Sequence, residues 1–213
     1  MRIGVIQASS QSARNELLYR CTCEAVRKNG RSDTVVNYGA YHDEKETYSY
    51  IETAIDICLL LSSGAVDFIV TGCSSGQGMM LACNSLPSVI CGYIPTPQDA
   101  FLFGRINGGN AASLPLGLGF GWAGEINMQC TLDKLFEGEF GCGYPPGDAE
   151  RKRRDTEYLR RINLSTKRTL VEAVADYDEE PVRNALRRQS VREDILKNGR
   201  NTDIIGIYER YSR

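Results

Sequence analysis

Residues 66–84 read VDFIVTGCSSGQGMMLACN, a strand-like run that passes through a loop of small residues into a helix-like run. The apolar residues from Val66 to Thr71 are continuous rather than alternating, which predicts a strand covered on both faces. Gln77–Asn84 then predicts a helix. A strand, a tight loop and a helix in this order form the repeating unit of a parallel sheet.

The same alternation recurs along the first two thirds of the chain. Four more strands are predicted, at Arg2–Gln7, Thr34–Tyr38, Ser88–Tyr93 and Ala111–Leu116. Helical spacing of apolar residues follows them near 17–25, 51–61, 99–106 and 122–136. Five strand-then-helix units predict an α/β fold, a five-stranded parallel sheet with helices on both faces.

A segment rich in glycine and proline, Gly138–Gly147, predicts a break in the chain. We therefore expect two parts, a sheet domain over residues 1–150 and a helical C-terminal extension over residues 151–213. The extension reads as two or three helices, in which Tyr158, Leu159 and Ile162 have helical spacing and are expected to lie in a core.

Composition excludes several classes of protein. The sequence has no apolar run of the length that a membrane span needs and no signal-peptide pattern, so we expect a cytoplasmic protein without a membrane partner. The net charge of −2 argues against a nucleic-acid partner, although the tail opens on the basic run Arg151–Arg154.

The eight cysteines form no CxxC pair, and His42 is the only histidine, so zinc-site spacings are unmatched. Free thiols in such a chain are usually buried and inert. That expectation covers Cys21, Cys58, Cys83, Cys91 and Cys130.

Cys73 differs because it lies in the glycine-rich loop. The helix expected after the loop points its free N–H groups at an anion there, and the same field favours the thiolate of a nearby cysteine. Cys73 is therefore a candidate base or nucleophile. A cysteine phosphatase would need an arginine six residues later, where Met79 stands. A cysteine–histidine hydrolase would need the distant His42 as its base.

Three motifs in order resemble the RpiB/LacA/LacB family of sugar-phosphate isomerases. GCSSGQG and the helix after it resemble the family's C-G-T-G-x-G loop and its helix ending in A-A-N. NYGAY, with Tyr48 downstream, resembles the family's DFGTY and DYP segments. INGGN resembles H-N-D-x-N. The matching positions are Cys73, Ser75, Gly76, Gly78, Asn84, Tyr48 and Asn107.

The resemblance implies a Rossmann-like, doubly wound domain that isomerises an aldose to a ketose through an enediolate, with neither metal nor cofactor. Cys73 would be the base, and Ser75 would hydrogen-bond the substrate. The backbone amides of Ser74, Gly76, Gln77 and Gly78 would stabilise the enediolate. Asn107 and Tyr48 would bind the sugar phosphate, in a homodimer or homotetramer whose active sites lie near the subunit interface.

Departures from the family pattern leave alternatives open. Ser10 and Gln11 stand near the family's Asp-His and are candidate substrate contacts, and Arg154 is the candidate for the phosphate. Ile106 replaces the histidine that opens the sugar ring, so either the substrate arrives open or His42 supplies the acid. The alternative function is a non-catalytic sugar-phosphate-binding paralogue or a subunit of a mixed assembly.

Overall fold

A computed structural model describes residues 1–176 and 180–211 and has a wholly parallel five-stranded sheet at its centre, in the order β2-β1-β3-β5-β4. The strands are β1 (Arg2–Val5), β2 (Thr34–Asn37), β3 (Phe68–Cys73), β4 (Cys91–Tyr93) and β5 (Ala111–Pro115). This arrangement confirms the Rossmann-like fold class predicted above.

Helices connect the strands and cover both faces of the sheet. They are α1 (Asn15–Lys28), α2 (Tyr50–Ser63), α3 (Gln77–Ser85), α4 (Pro97–Leu102) and α5 (Gly124–Leu135). Successive side chains of a strand point to opposite faces. Phe68 and Val70 accordingly pack with α1, α4 and α5, whereas Ile69 packs with α2 and α3.

The fourth strand is shorter than predicted, and two side-chain amides bind the backbone around its start. Asn84 donates to the Cys91 carbonyl at 2.8 Å and accepts from its amide at 2.9 Å. Asn110 accepts from the Ile90 amide and donates to the Ser88 carbonyl. The strand begins only at Cys91, and just before it the Ile90 carbonyl accepts from the backbone amides of Asn110 and Ala111. The helix predicted over 99–106 also ends early, at Leu102, and a π-helical turn (Phe103–Asn107) follows.

The described part of the tail forms five helices, so the expectation of two or three was wrong. They are α6 (Ala149–Ser165), α7 (Leu170–Asp176), α8 (Glu180–Arg187), α9 (Gln189–Asn198) and α10 (Thr202–Tyr211). Four of these helices, α7, α8, α9 and α10, have ten residues or fewer, which is too short to show a clear apolar period in the sequence. The boundary expected at residue 150 falls in the first turn of α6 and stays a prediction.

Helix α2 is buried on nearly every side because the tail covers the face that the sheet leaves free. Apolar side chains of α7, α8, α9 and α10 share one hydrophobic core with α2, the sheet and α3. The fully buried Asp56 on α2 accepts a hydrogen bond from Arg188 Nη1 at 3.2 Å. Burial raises the pKa of Asp56 to about 7, an effect that the nearby guanidinium partly offsets.

Two expectations of burial were wrong. Tyr158, Leu159 and Ile162 on α6 are 51%, 42% and 57% exposed, because this helix contacts the rest of the chain along its other side, at Thr156 and Arg160. Cys130 on α5 is exposed, whereas Cys21, Cys58, Cys83 and Cys91 are buried as expected. Among the residues described, no helix is both long and apolar enough to cross a membrane.

Candidate active site

Cys73 is the last residue of β3 and lies half-buried at the carboxyl edge of the sheet. It is in register with Pro115 of β5, and its carbonyl accepts a hydrogen bond from the Leu116 amide at 3.0 Å. All eight cysteines are free, and the thiol of Cys73 has no hydrogen-bond partner within the described residues. Parallel sheets bind their ligands at this edge, so the loop lies where a site is expected.

The loop after Cys73 presents several backbone donors. The amides of Ser75, Gly76 and Gly78 donate to no acceptor in the part of the chain that the structure describes. Helix α3 begins directly after Gly76, so its positive end adds to the field of these amides. Ser113 of β5 donates to the Gly76 carbonyl at 2.7 Å, so that oxygen has a partner within the protein. Neighbouring N–H groups without acceptors are suited to an anionic oxygen.

Gly76 is required by the shape of this loop. Its φ is +75°, in the left-handed region that glycine adopts without strain. A Cβ at this position would lie 2.8 Å from Tyr93 Cε2 and 2.9 Å from the backbone C and O of Leu114. Both facts require glycine, as the sequence pattern indicated.

Ser74 joins three segments around the loop. Its hydroxyl accepts a hydrogen bond from Gln11 Nε2 at 2.9 Å, and Gln11 also binds the Ser10 carbonyl. Its carbonyl accepts from the amides of Gly117 and Leu118 at 3.0 and 2.7 Å. The structure thus brings Gln11 to the Cys73 loop and adds the loop after β5 to its border.

Tyr50 lies beside the Cys73 loop, a position that the sequence reasoning missed. A Cβ atom built on Gly78 would lie 3.7 Å from Tyr50 Cδ2 and Cε2 and 3.9 Å from Cys73 Sγ. The tyrosine is the first residue of α2, which a capping box between Ser49 and Glu52 starts. The S-Y-I-E spacing could have placed Tyr50 in a first helical turn, but not beside the cysteine.

Tyr48 lies close in sequence to Tyr50 but in other surroundings. It is buried, with its backbone bonded to Ser9 in both directions and its ring stacked on the Arg188 guanidinium at 4.2 Å. Burial raises the pKa of its hydroxyl. Its expected contact with substrate stays a prediction.

Asn107 and Arg154 lie away from the Cys73 loop of the same chain. Asn107 is exposed and precedes β5, whose first residue is in register with Ile69 rather than with Cys73. The adjacent carbonyls of Ile106 and Gly108 accept hydrogen bonds from α6, the helix that also carries the exposed Arg154. These residues therefore occupy the amino edge of the sheet.

Ser10 and His42 are both exposed. The described residues contain no cluster of three or more histidine, cysteine, aspartate or glutamate side chains that could hold a metal ion.

Two other thiols are chemically unlike a site residue. Burial raises the pKa of Cys58 to about 12, and a hydrogen bond to Cys91, together with burial, raises that of Cys83.

The arrangement suits one kind of chemistry. A thiolate can take a proton from a carbon next to a carbonyl, and N–H groups beside it can stabilise the negative charge that then develops on oxygen. The half-buried thiol and the free amides of the loop are only a few residues apart, so a single small substrate can reach both.

The comparisons with known proteins agree on one family. A family model described as Ribose/Galactose Isomerase matches residues 18–140. A solved structure of a 4-deoxy-L-threo-5-hexosulose-uronate ketol-isomerase complexed with a tartrate is 36% identical, with a TM-score of 0.92, over 100% of this chain and 99% of its own. Ribose-5-phosphate isomerase LacAB_rpiB from Vibrio parahaemolyticus is 34% identical, with a TM-score of 0.92, over 99% of each chain.

A more distant structure shares the fold. Type B ribose 5-phosphate isomerase from Trypanosoma cruzi is 21% identical, with a TM-score of 0.63, over 78% of this chain and 99% of its own. No curated protein matches the sequence.

Proposed function

The chain belongs to the ribose/galactose isomerase family and is a sugar isomerase, and on that premise we propose that it interconverts an aldose and a ketose with Cys73 as the base. The observation that carries the proposal is the position of this thiol, half-buried at the carboxyl edge beside amides without protein acceptors. The reaction is redox-neutral overall and moves one proton between two carbons and one between two oxygens.

In the proposed mechanism, the Cys73 thiolate removes the proton from C2 of an open-chain aldose. The electron pair of the broken C–H bond forms the C1–C2 double bond, and the carbonyl pair moves onto O1. The amides of Ser75, Gly76 and Gly78 stabilise that oxygen. The hydroxyl of Ser75, in the same loop, binds a hydroxyl of the substrate. A proton then passes from the C2 hydroxyl to O1, and the electron pair left on O2 forms the new carbonyl. The pair of the C1–C2 double bond takes the proton back from the thiol at C1, which gives the ketose.

The substrate proposed first is a small sugar phosphate that arrives open. Ile106 cannot transfer a proton, and His42 is exposed on its loop, so neither residue supports enzymatic ring opening. A tetrose 4-phosphate cannot close a five-membered ring because its O4 is esterified. Pentose and hexose phosphates also belong to the proposed class, but only the open-chain fraction of each would react.

A second substrate class is favoured by the uronate ketol-isomerase relative. The name of its substrate specifies no hydroxyl on C4 and a carbonyl at C5. Neither carbon offers the hydroxyl that would close a five- or six-membered ring on C1. A 4-deoxy-5-ketouronate therefore meets the same condition as the tetrose phosphate, with a carboxylate in place of the phosphate.

We further propose a homodimer or homotetramer in which the active site is shared. Asn107 and Arg154 lie at the amino edge of the sheet, so they can approach a Cys73 loop only when it belongs to another copy. The exposed apolar residues of α6, Tyr158, Leu159 and Ile162, offer the surface for such an approach. Arg154 would then bind the anionic end of the substrate.

The test is proton exchange from D2O into a panel of substrates. The panel contains four-, five- and six-carbon sugar phosphates and a 4-deoxy-5-ketouronate. Each compound is incubated separately with the wild-type protein, with Cys73→Ala and with Cys130→Ala. Cys130 is exposed on α5 and serves as the matched cysteine control. We expect deuterium at C1 or C2 of one substrate class, lost in Cys73→Ala and kept in Cys130→Ala. No exchange in any sugar would instead favour a binding protein.

A further inference from the structure

Tyr50 combines a free hydroxyl with a fixed position at the edge of the Cys73 loop. It is 44% exposed, and its hydroxyl has no hydrogen-bond partner in the described chain. Its backbone is fixed, because Ser49 caps α2 through the Glu52 amide and Glu52 binds back to the Ser49 amide at 2.6 Å. The ring is therefore held at its base while its polar end remains available to a ligand.

The ring and the Cys73 thiol border one space above the first turn of α3. The position that a Cβ of Gly78 would take lies 3.7 Å from the ring edge and 3.9 Å from the sulfur, and glycine leaves that position open. A substrate carbon placed over Gly78 would contact the base on one side and the phenol ring on the other.

An enediolate has two oxygens, and isomerisation must move a proton from one to the other. The loop amides can stabilise the first oxygen, but an amide does not exchange its proton during the reaction. A hydroxyl both donates and accepts, which is the property that this step requires. The Tyr50 hydroxyl has no partner in the described chain, whereas Ser75 Oγ accepts from the Gln77 amide at 3.3 Å and Ser74 Oγ accepts from Gln11.

We infer that Tyr50 is the second proton-transfer residue of the reaction proposed above, acting on the substrate oxygens while Cys73 acts on the carbons. Its hydroxyl gives a proton to O1 as the carbonyl electron pair moves onto that oxygen. It recovers a proton from O2 as the new carbonyl forms there. Atoms and charge balance without any further reagent.

The test compares Tyr50→Phe with wild type and with Tyr19→Phe, on the substrate found in the exchange experiment. Tyr19 lies on α1, among residues packed on the opposite face of the sheet, and serves as the matched tyrosine control. We expect kcat to fall by about 10²–10⁴-fold in Tyr50→Phe, the range for loss of a general acid–base group, with KM changed less than about threefold. Tyr19→Phe should keep both constants.

A third variant separates proton transfer from packing. Tyr50→His restores a group that donates and accepts, so we expect it to regain part of the lost rate. The alkaline limb of its kcat profile should move to lower pH, because the ordinary pKa is about 6.5 for histidine and about 10 for tyrosine.

The outcomes distinguish this inference from the proposed function. If the wild-type protein exchanges deuterium through Cys73 and the Tyr50→Phe variant keeps its kcat, only the role of Tyr50 is overturned. A Tyr50→Phe defect confined to KM, or one that Tyr50→His does not relieve, would also overturn it. Wild type without exchange on any substrate would remove the proposed function itself.

Discussion

Cys73 and Asn107 lie at opposite edges of the same sheet, one at the end of β3 and the other before the start of β5. Both belong to motifs that resemble the isomerase family, yet no single copy of the chain brings them together. The pair can act on one substrate only across an interface between copies.

Complementation between inactive variants checks this arrangement. If the site is shared, Cys73→Ala and Asn107→Ala are each inactive alone, because every site in either protein lacks one partner. A mixed dimer has one site with both residues intact and one with neither. Unfolding and refolding the two together in equal amounts should restore about a quarter of wild-type activity, since about half of random dimers are mixed.

The control is the same refolding with each variant alone. Activity that does not rise above either single variant would exclude a shared site. Equal recovery from two variants of the same edge, such as Cys73→Ala with Gly76→Ala, would also exclude it.

Gly76→Ala should destabilise the fold more than Gly119→Ala does. Both glycines have a left-handed backbone, but a Cβ on Gly119 meets nothing within 4 Å, whereas one on Gly76 meets the Leu114 backbone. We expect about 1–2 kcal/mol for Gly119→Ala, from the backbone alone. Overpacking should add about 1–3 kcal/mol for Gly76→Ala. Urea denaturation measures the difference, and equal losses would show that the contact with Leu114 relaxes freely.

Asn84→Leu should weaken the attachment of the edge strand β4. The substitution leaves the Cys91 amide and carbonyl without the side-chain partners that they have at 2.9 and 2.8 Å. We expect a loss of about 2–6 kcal/mol in the free energy of unfolding, since each of the two unsatisfied buried groups costs about 1–3 kcal/mol. The neighbouring Ser85→Ala, on the exposed side of the helix, should change it by less than about 0.5 kcal/mol. Similar values for the two variants would contradict the role of Asn84.

Asp56→Asn should flatten the pH dependence of stability between about pH 4 and pH 7. Burial raises the folded-state pKa of Asp56 from 3.8 to about 7, so the folded protein binds this proton more tightly than the unfolded chain does. That contribution to stability is complete below the unfolded value and is lost as the pH rises through the folded value. Each pKa unit is about 1.4 kcal/mol.

The measurement for Asp56 is the slope of unfolding free energy against pH, not its offset. Asp56→Asn also removes the negative partner that Arg188 has where Asp56 is ionised, and it changes the packing of a buried site, so the offset between the two curves has several causes. Wild type should therefore lose stability relative to the variant as the pH rises from 4 to 7, and the difference should level off above pH 8. Parallel curves for the two proteins would show that Asp56 is ionised throughout this range.

Local patterns were enough to predict the framework of the site. The continuous apolar run of β3 indicated a central strand, and the glycines after it indicated a tight loop before a helix. Those features depend on neighbours within a few residues, such as the left-handed backbone of Gly76. The predictions that failed depended on distant neighbours instead. Ile162 has helical spacing and Cys130 is a free thiol, features that usually go with burial, but both side chains are exposed in the described chain.

The sequence alone determined the order of strands and helices in the sheet domain, the thiol at a strand end and the glycines in its loop, because steric limits and side-chain period act over short distances. The tertiary structure alone decided that Tyr50 borders Cys73, that Asn107 lies at the far edge, and that Arg188 reaches Asp56. These contacts join residues separated by many positions. Their geometry follows from how the sheet and the tail pack on α2, which no local pattern specifies.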